Sequence, residues 1–233
     1  MKKFVLIVAG GIGSRFQNDE NQLPKQFLNL NNKPVIVHSI QAFFNAFENI
    51  ECVIACNKNF MSHCKKIVLT YFPNKKIKIV AGGNSRTASV WNGLQHLENE
   101  AIVGIHDAVR PLITQKDIIK LYNAAIADKC AIPCEKVTDT IYLKKENEVS
   151  VLNRAQLSAV STPQCFYVAT LKIAYEKALR TDEITYTDDA SVWSNAANNL
   201  KLIEIESKNI KITKKEDLII AESLLNYNEP KEK

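Results

Sequence analysis

Phe4-Val5-Leu6-Ile7-Val8-Ala9-Gly10-Gly11-Ile12-Gly13-Ser14-Arg15 is the stretch that decides the fold. An unbroken apolar run, without polar alternation, is a strand buried on both faces, the signature of a central strand in a parallel sheet. The glycines directly behind it open a loop at the strand's carboxyl end. This is not a P-loop, because the Gly-Lys-Ser/Thr ending is missing. It is not the dinucleotide fingerprint either, because the third glycine is absent. Exposed backbone N–H groups in such a loop nevertheless form an anion-binding concavity. Arg15 can grip phosphate oxygens with a two-pronged guanidinium, and Lys25, in Pro24-Lys25-Gln26, is a movable point charge. The bland alternative is a plain turn with two solvated cations.

Upstream, Met1-Lys2-Lys3 before the apolar run imitates an export signal. The run is short and leads straight into the glycines, so it reads as a strand. No stretch approaches the ~20 apolar residues of a membrane span, and a soluble cytoplasmic protein is expected. Downstream, Pro34–Phe47 reads as a helix, with proline in its first turn. Cys52–Ala55 reads as a strand, Asn59–Tyr71 as a helix and Ile77–Val80 as a strand ending at Gly82-Gly83. Ser85–Leu97 follows as a helix, then Ala101–Ile105 as a strand ending at His106-Asp107. Thr114 is a good N-cap for a helix from Gln115 to Ala127, and Cys130–Pro133 is a strand. Alternating strands and helices predict a mostly parallel sheet covered on both faces.

The rhythm then changes. Thr140–Leu143 and Glu148–Leu152 flank Lys144-Lys145-Glu146-Asn147, a charged hairpin. Leu171–Leu179 and Asp188–Ala197 read as helices, Leu202–Ile205 and Ile210–Ile212 as strands, Lys214–Leu225 as a closing helix and Asn226–Lys233 as a frayed end. No repeat or flexible linker interrupts the chain, so 1–233 reads as one α/β domain with an arm at about 138–160.

The 233 residues are 46% hydrophobic and 24% charged, which excludes a disordered tail, a collagenous chain and a small disulfide scaffold. Net charge is +5, but the lysines are spread out, with no basic block or aromatic ladder. That distribution disfavours nucleic acid and suits an enzyme for anionic small molecules. Cys52/Cys56 and Cys130/Cys134 both read C-x3-C within strands, where such residues lie about 13 Å apart. They are too far apart for a disulfide, and buried thiols of a reducing compartment are expected. Glycine is scarce: the chain holds only seven, and Gly10, Gly11, Gly13, Gly82 and Gly83 form two clusters. Glycine serves where backbone takes positive φ or approaches a ligand closely.

In parallel sheets ligands bind beyond the carboxyl ends of the strands. Three loops lie there: 10–25, 82–89 and 106–111. In the second, Gly83, Asn84 and Ser89 offer either a capped turn or a surface for a base edge. In the third, Asp107 occupies the strand-end position at which a carboxylate holds nucleotide-bound Mg²⁺. His106 is expected to orient or pack rather than catalyse.

Ala-Gly-Gly-x-Gly-Ser-Arg, Pro-Lys-Gln-Phe-Leu, Gly-Gly-x-x-Arg-x-x-Ser-Val, His-Asp-x-x-Arg-Pro, Asp-Thr-Ile, Thr-Pro-Gln-x-Phe, Thr-Asp-Asp-Ala and Asn-Ile-Lys-Ile-Thr occur in this order between about residues 4 and 221. Together they resemble the 2-C-methyl-D-erythritol 4-phosphate cytidylyltransferase family. The resemblance implies a Rossmann-like nucleotidyltransferase, a three-layer sandwich with a projecting β-hairpin arm. It implies Mg²⁺-dependent transfer of CMP from CTP to a sugar-alcohol phosphate. By resemblance, Arg15 and Lys25 hold the triphosphate, Asp107 carries Mg²⁺, and Lys211 neutralises the attacking phosphate. Ala9, Gly10, Gly11, Gly13, Gly83, Asn84 and Ser89 line the nucleotide. Arg110, Thr140, Arg154 and Thr162 surround the second substrate, with Thr140 and Arg154 reaching a partner subunit's site in a homodimer.

The chain departs from the family pattern at Asn84 and Asn153, where aspartate is usual, and at Ser161, Gly10 and Phe16. The expectation from Asn153 is a loosened Arg154. Two rival readings remain open: a pentitol-phosphate (ribitol 5-phosphate) cytidylyltransferase, which shares the first and fourth motifs, and a non-catalytic nucleotide-binding module.

Overall fold

A computed structural model describes residues 1–11, 23–146, 148–180 and 186–228. The decisive run becomes β1 (Lys2–Ala9). A small ribbon of β2 (Asn29–Leu30) and β3 (Lys33–Pro34) leads into α1 (Val35–Ala46), followed by β4 (Glu51–Cys56) and α2 (Met61–Tyr71). Then come β5 (Ile77–Ala81), α3 (Arg86–Leu94), β6 (Ala101–Asp107), α4 (Gln115–Asp128) and β7 (Cys130–Lys136). β8 (Tyr142–Lys145) and β9 (Glu148–Val151) pair only with each other and form the arm. β10 (Ser158–Val160), β11 (Gln164–Tyr167), α5 (Val168–Ala178), α6 (Asp189–Asn195), β12 (Leu202–Glu204) and α7 (Lys215–Asn228) complete the chain.

The main sheet has the order β10-β7-β11-β6-β1-β4-β5, with β12 beside β7. β5, β4, β1 and β6 are mutually parallel. From β1 the chain first builds outward through β4 to β5, then returns to place β6 on β1's other side. The reversal makes a crevice at the carboxyl ends of β1 and β6, where Val8 is in register with Asp107.

Strand periodicity divides the core. Val5, Ile7 and Ala9 of β1 point with Cys52, Ile54 and Cys56 of β4 toward α1, α2 and α4. Phe4 and Leu6 point the other way, with Val53, Val103 and Ile105, toward α3, α5 and α6. Both faces of β1 are therefore apolar, which is why its sequence does not alternate. A smaller cluster packs α7, through Ala221, on Leu30, Val109 and Ile212. All six cysteines are buried and free. Among the described residues no helix is long and apolar enough to cross a membrane.

Several boundaries differ from the sequence expectation. Ser85 is the cap of α3 rather than its first residue, and the helix stops at Leu94. Pro34 likewise caps α1 from outside. The helix expected at Asn59–Tyr71 opens with a 3-10 turn, Lys58–Phe60. In the arm, Lys144 and Lys145 belong to the strand, not the turn. Ile210–Ile212 is not a strand. Ile212 N–H donates to the Val109 carbonyl (2.9 Å), which anchors the segment against a loop rather than a strand. β10 and β11 were not expected. β11 runs antiparallel between β6 and β7, so the sheet is mixed at that side. The closing helix continues to Asn228, and Asn31 donates a hydrogen bond to the Asn226 side chain across 2.7 Å. Residues 229–233 lie outside the described residues.

Gly104 shows how tightly the centre is built. Its N–H donates to the buried Tyr122 hydroxyl (3.1 Å), which donates to the Phe4 carbonyl (2.7 Å). A Cβ at position 104 would lie 2.5 Å from that hydroxyl oxygen and 3.0 Å from the ring. Gly104→Ala is expected to destabilise the fold by about 1–3 kcal/mol through overpacking, read as a lower urea midpoint with an unchanged m-value.

Candidate active site

The three loops read from sequence converge. A cleft of about 450 Å³ opens at the carboxyl ends of β1, β4, β5 and β6. Its walls include Ala9 at the end of β1 with Gly10 and Gly11 behind it, Asn57 after β4, and Gly83 to Arg86 after β5. Asp107, Lys25 and Lys211 also face it. The volume is within the ~300–1,000 Å³ usual for small-molecule sites. A second cavity of about 190 Å³ adjoins it, lined by Arg110, Thr162, Gln164 and Asp188 among others. Arg86, Asp107 and Lys211 line both.

Asp107 is the centre of this shared wall. It is only 7% exposed. Lys211 Nζ lies 2.9 Å from Oδ2, Arg110 Nε 3.3 Å from Oδ2, and Arg86 Nε 3.6 Å from Oδ1. Burial pushes its pKa up, but Lys211, Arg86 and Arg110 together outweigh burial and hold it well below the usual carboxylate range. Arg110 is fixed further by donating to the Asn209 carbonyl (2.8 Å). Lys211 is brought in by the irregular segment before α7. That segment is pinned where Asp217 accepts hydrogen bonds from Thr213 and Lys214.

His106 points to the opposite face and is fully buried. Its Nε2 is 3.0 Å from the Arg110 carbonyl, which can only accept, so Nε2 carries the proton. Nδ1 then accepts from the Thr162 hydroxyl (3.0 Å), whose oxygen accepts from the Asp107 N–H (3.1 Å). The imidazole is a brace for the Asp107 loop, as the sequence suggested. The Thr162 hydroxyl, expected among the second-substrate contacts, borders the second cavity but is engaged in this brace.

The glycine loops are shaped by Ser89 as well as by access to the cleft. The Ser89 hydroxyl oxygen accepts from Gly83 N–H (3.0 Å) and donates to the Ser85 carbonyl (2.8 Å). A Cβ at Gly10 or Gly82 would approach that oxygen to 3.0 Å, and one at Gly83 would meet Ala88 at 2.4 Å. Their smallness is first a packing requirement, and no positive φ is involved. Gly11 differs, since no described atom lies within 4 Å of its built Cβ. Gln26 braces the loop by donating to the carbonyls of Ala9 and Gly11, both at 3.0 Å.

The profile of the family described as IspD, 2-C-methyl-D-erythritol 4-phosphate cytidylyltransferase, matches residues 3–227. The chain belongs to this family. A relative of that name from Phocaeicola vulgatus is 36% identical over 226 residues, covering 97% of this chain and 100% of its own. One from Geobacillus kaustophilus is 36% identical over 223 residues, covering 94% and 95%. Among solved structures, the 4-diphosphocytidyl-2C-methyl-D-erythritol synthase of Anaerococcus prevotii superposes with TM-score 0.83 at 26% identity, covering 97% of this chain and 98% of that one. The cytidylyltransferase of Thermus thermophilus gives 0.78 at 27%, covering 97% and 100%.

The expected residues fall into three groups: those that line the cleft, those outside the described residues, and those placed elsewhere. Gly13, Arg15, Phe16 and the rest of the loop to position 22 lie outside the described residues. Thr140 and Arg154 are exposed on and beside the arm, away from both cavities of their own chain. Asn153, where aspartate is usual, takes part in the local turn. Its side chain accepts from Ala155 N–H (3.1 Å), capping the short turn that carries Arg154, which donates to the Thr138 carbonyl (2.6 Å). Asn84 is exposed at the cleft edge. Sequence reasoning missed Arg86 and Gln26 as site residues. The available signal was Arg86's position three before Ser89, which puts both on one helix face toward the strand ends.

Burial, chiefly, lowers the His106 pKa to about 4. The unfolded state therefore takes up a proton between pH 6.5 and 4 that the folded state refuses, and stability falls as pH falls through that window. The loss approaches roughly 3 kcal/mol by pH 4. Asp107 acts separately. Its depressed pKa gives stability present above the unfolded carboxylate pKa and lost only as pH falls below it. Urea unfolding at pH 7, 5.5 and 4.5 is expected to show a decline for the wild type that His106→Asn removes in large part.

Proposed function

We propose that this chain transfers CMP from CTP to 2-C-methyl-D-erythritol 4-phosphate. The products are 4-diphosphocytidyl-2-C-methyl-D-erythritol and pyrophosphate, in the non-mevalonate isoprenoid route. The observation that carries this reading is the pair of adjoining cavities sharing Arg86, Asp107 and Lys211. A two-substrate transfer between anions needs that arrangement, one compartment for each reactant and fixed charge where they meet.

In the reaction an oxygen of the alcohol's phosphate forms a bond to the α-phosphorus of CTP. The bond from that phosphorus to the bridging oxygen breaks, and its electron pair leaves with pyrophosphate. The nucleophile is already an anion, so no general base is required. Catalysis is in-line positioning and stabilisation of crowded negative charge. Lys25, from the cleft side, and Arg15 serve the triphosphate. Lys211, common to both cavities, brings the attacking phosphate toward the α-phosphorus against their mutual repulsion. Arg110 and Thr162 border the acceptor's compartment.

Asp107 suits a Mg²⁺ ion. It is held ionised at the boundary, and magnesium takes one or two carboxylates plus substrate phosphates rather than an all-protein cage. Bound there, Mg²⁺ would neutralise charge on the phosphate oxygens. Thr140 and Arg154 serve the site of a second copy in a homodimer. Their placement outside their own chain's cavities, flanking a hairpin that exposes Tyr142, Val149 and Val151, supports this. The setting is the cytoplasm, in keeping with six free thiols.

The purified protein is assayed for pyrophosphate and CDP-alcohol with Mg²⁺, using CTP, UTP, GTP or ATP against methylerythritol 4-phosphate and ribitol 5-phosphate. CTP with methylerythritol 4-phosphate is expected to give the highest kcat/KM. A higher value for ribitol 5-phosphate would refute the substrate assignment, and no turnover with any pair would support a binding module.

Lys25→Ala and Lys211→Ala are each expected to lower kcat by about 10²–10³, the scale of losing one transition-state charge contact. The melting temperature of Lys25→Ala should stay near the wild type, while Lys211→Ala, which removes one of three cations on Asp107, should melt somewhat lower but remain folded at the assay temperature. Wild-type turnover in both variants would remove these lysines from the mechanism.

A further inference from the structure

Arg86 occupies an unusual place. It is the first residue of α3, where the helix dipole favours anions and disfavours a cation. Its neighbours show what holds it there. Nη1 and Nη2 donate to Oδ1 and Oδ2 of Asp189, at 3.0 and 2.7 Å, a two-pronged pair across 103 residues of sequence. The Asp189 side chain is fully buried. Oδ1 of Asp189 also accepts from the hydroxyl of Tyr175, itself fully buried. The Tyr175 ring stacks on Trp91 of α3, with centroids 6.4 Å apart and an interplanar angle of 9°. Burial opposes the Arg86 charge, but Asp189 more than compensates and keeps it protonated.

This clamp takes both terminal nitrogens and leaves Nε directed at Asp107 Oδ1 (3.6 Å). The other oxygen of Asp107 receives Lys211 and Arg110. Asp107 is thus gripped from both sides, and only Arg86 reaches it from the nucleotide-loop helix. The same clamp joins α3 to α6. Asp188, beside Asp189, lines the second cavity and accepts from Gln164 (2.8 Å) while capping α6.

We propose that Arg86 is a positioning residue of the transfer reaction: clamped by Asp189 and Tyr175, it fixes the Asp107 carboxylate at the boundary between the two substrate compartments. The proposal rests on the cytidylyltransferase reading of the cleft. Arg86 aligns the group that meets both substrates, so its loss is felt in turnover. A residue that only stapled α3 to α6 would instead lower stability and leave kcat unchanged. Lysine at 86 keeps a charge for Asp189 but lacks the fork needed to hold two carboxylates at once.

The test measures kcat, KM for each substrate and melting temperature for Arg86→Lys and Tyr175→Phe beside the wild type, with CTP, methylerythritol 4-phosphate and Mg²⁺. Arg86→Lys is expected to lose about 10–100-fold in kcat, with KM for CTP within about threefold of the wild type. Tyr175→Phe removes one hydroxyl from the clamp and is expected to lose about 3–10-fold in kcat. It carries the test if Arg86→Lys fails to fold. Wild-type kcat in a folded Arg86→Lys or Tyr175→Phe, or a loss confined to KM for CTP, overturns the positioning role. An inactive wild type instead overturns the cytidylyltransferase reading, so the two failures are distinguishable.

Discussion

A carboxylate buried at the carboxyl end of a central strand has to be compensated, because an isolated charge in a protein interior costs several kcal/mol. Asp107 obtains its compensation from three separate parts of the chain: Arg86 from α3, Arg110 from its own loop, and Lys211 from the segment before α7. That requirement organises the end of the molecule. It draws the first turn of α3, the strand end and a late irregular segment onto one point. Each attached group then needs support of its own. Asp189 supports Arg86, the Asn209 carbonyl supports Arg110, and Asp217 holds the turn that follows Lys211.

The sheet explains why the point lies where it does. Parallel pairing of β1 with β6 sets Val8 opposite Asp107, so the first glycine loop leaves the sheet next to the carboxylate. Neutral His106, on the opposite face of β6, ties the loop after Asp107 to Thr162 without adding charge. Alternation along one strand thus places a charged group in the site and its brace in the core. A cluster with more cations than anions at this boundary favours polyanions in both cavities, and it does so before any substrate arrives.

Much of this was legible in the sequence. The unbroken run Phe4–Ala9 marked the central strand because both its faces are buried, and the three strand-end loops were visible as breaks after apolar runs. β11 was not legible. Gln164–Tyr167 is short, follows Thr162-Pro163, and is stabilised by pairing with strands about sixty and thirty-five residues upstream, a long-range effect that local pattern does not carry. Arg86 was missed as a site residue for a similar reason, although its spacing from Ser89 placed it on the helix face toward the strand ends. An arginine in a first helical turn reads as a solvated cation, and its decisive partner, Asp189, is remote in sequence. Thr140 and Arg154 were nameable only through family resemblance, and the fold of one chain keeps them at the base of the arm.

The scarcity of glycine takes on a different meaning beside this cluster. From the sequence, glycines in the two loops are expected to leave space for a ligand. At Gly10, Gly82 and Gly83 the space is already claimed by Ser89 and Ala88, and a side chain would crowd the first turn of α3. Moving α3 would move Arg86, which it carries in its first turn. The glycines therefore serve the charged cluster indirectly: they let α3 approach closely enough for a guanidinium to reach a carboxylate on β6. The course of both glycine loops and the reach of the guanidinium are two results of one close packing, with Ser89 as the contact through which both loops are set.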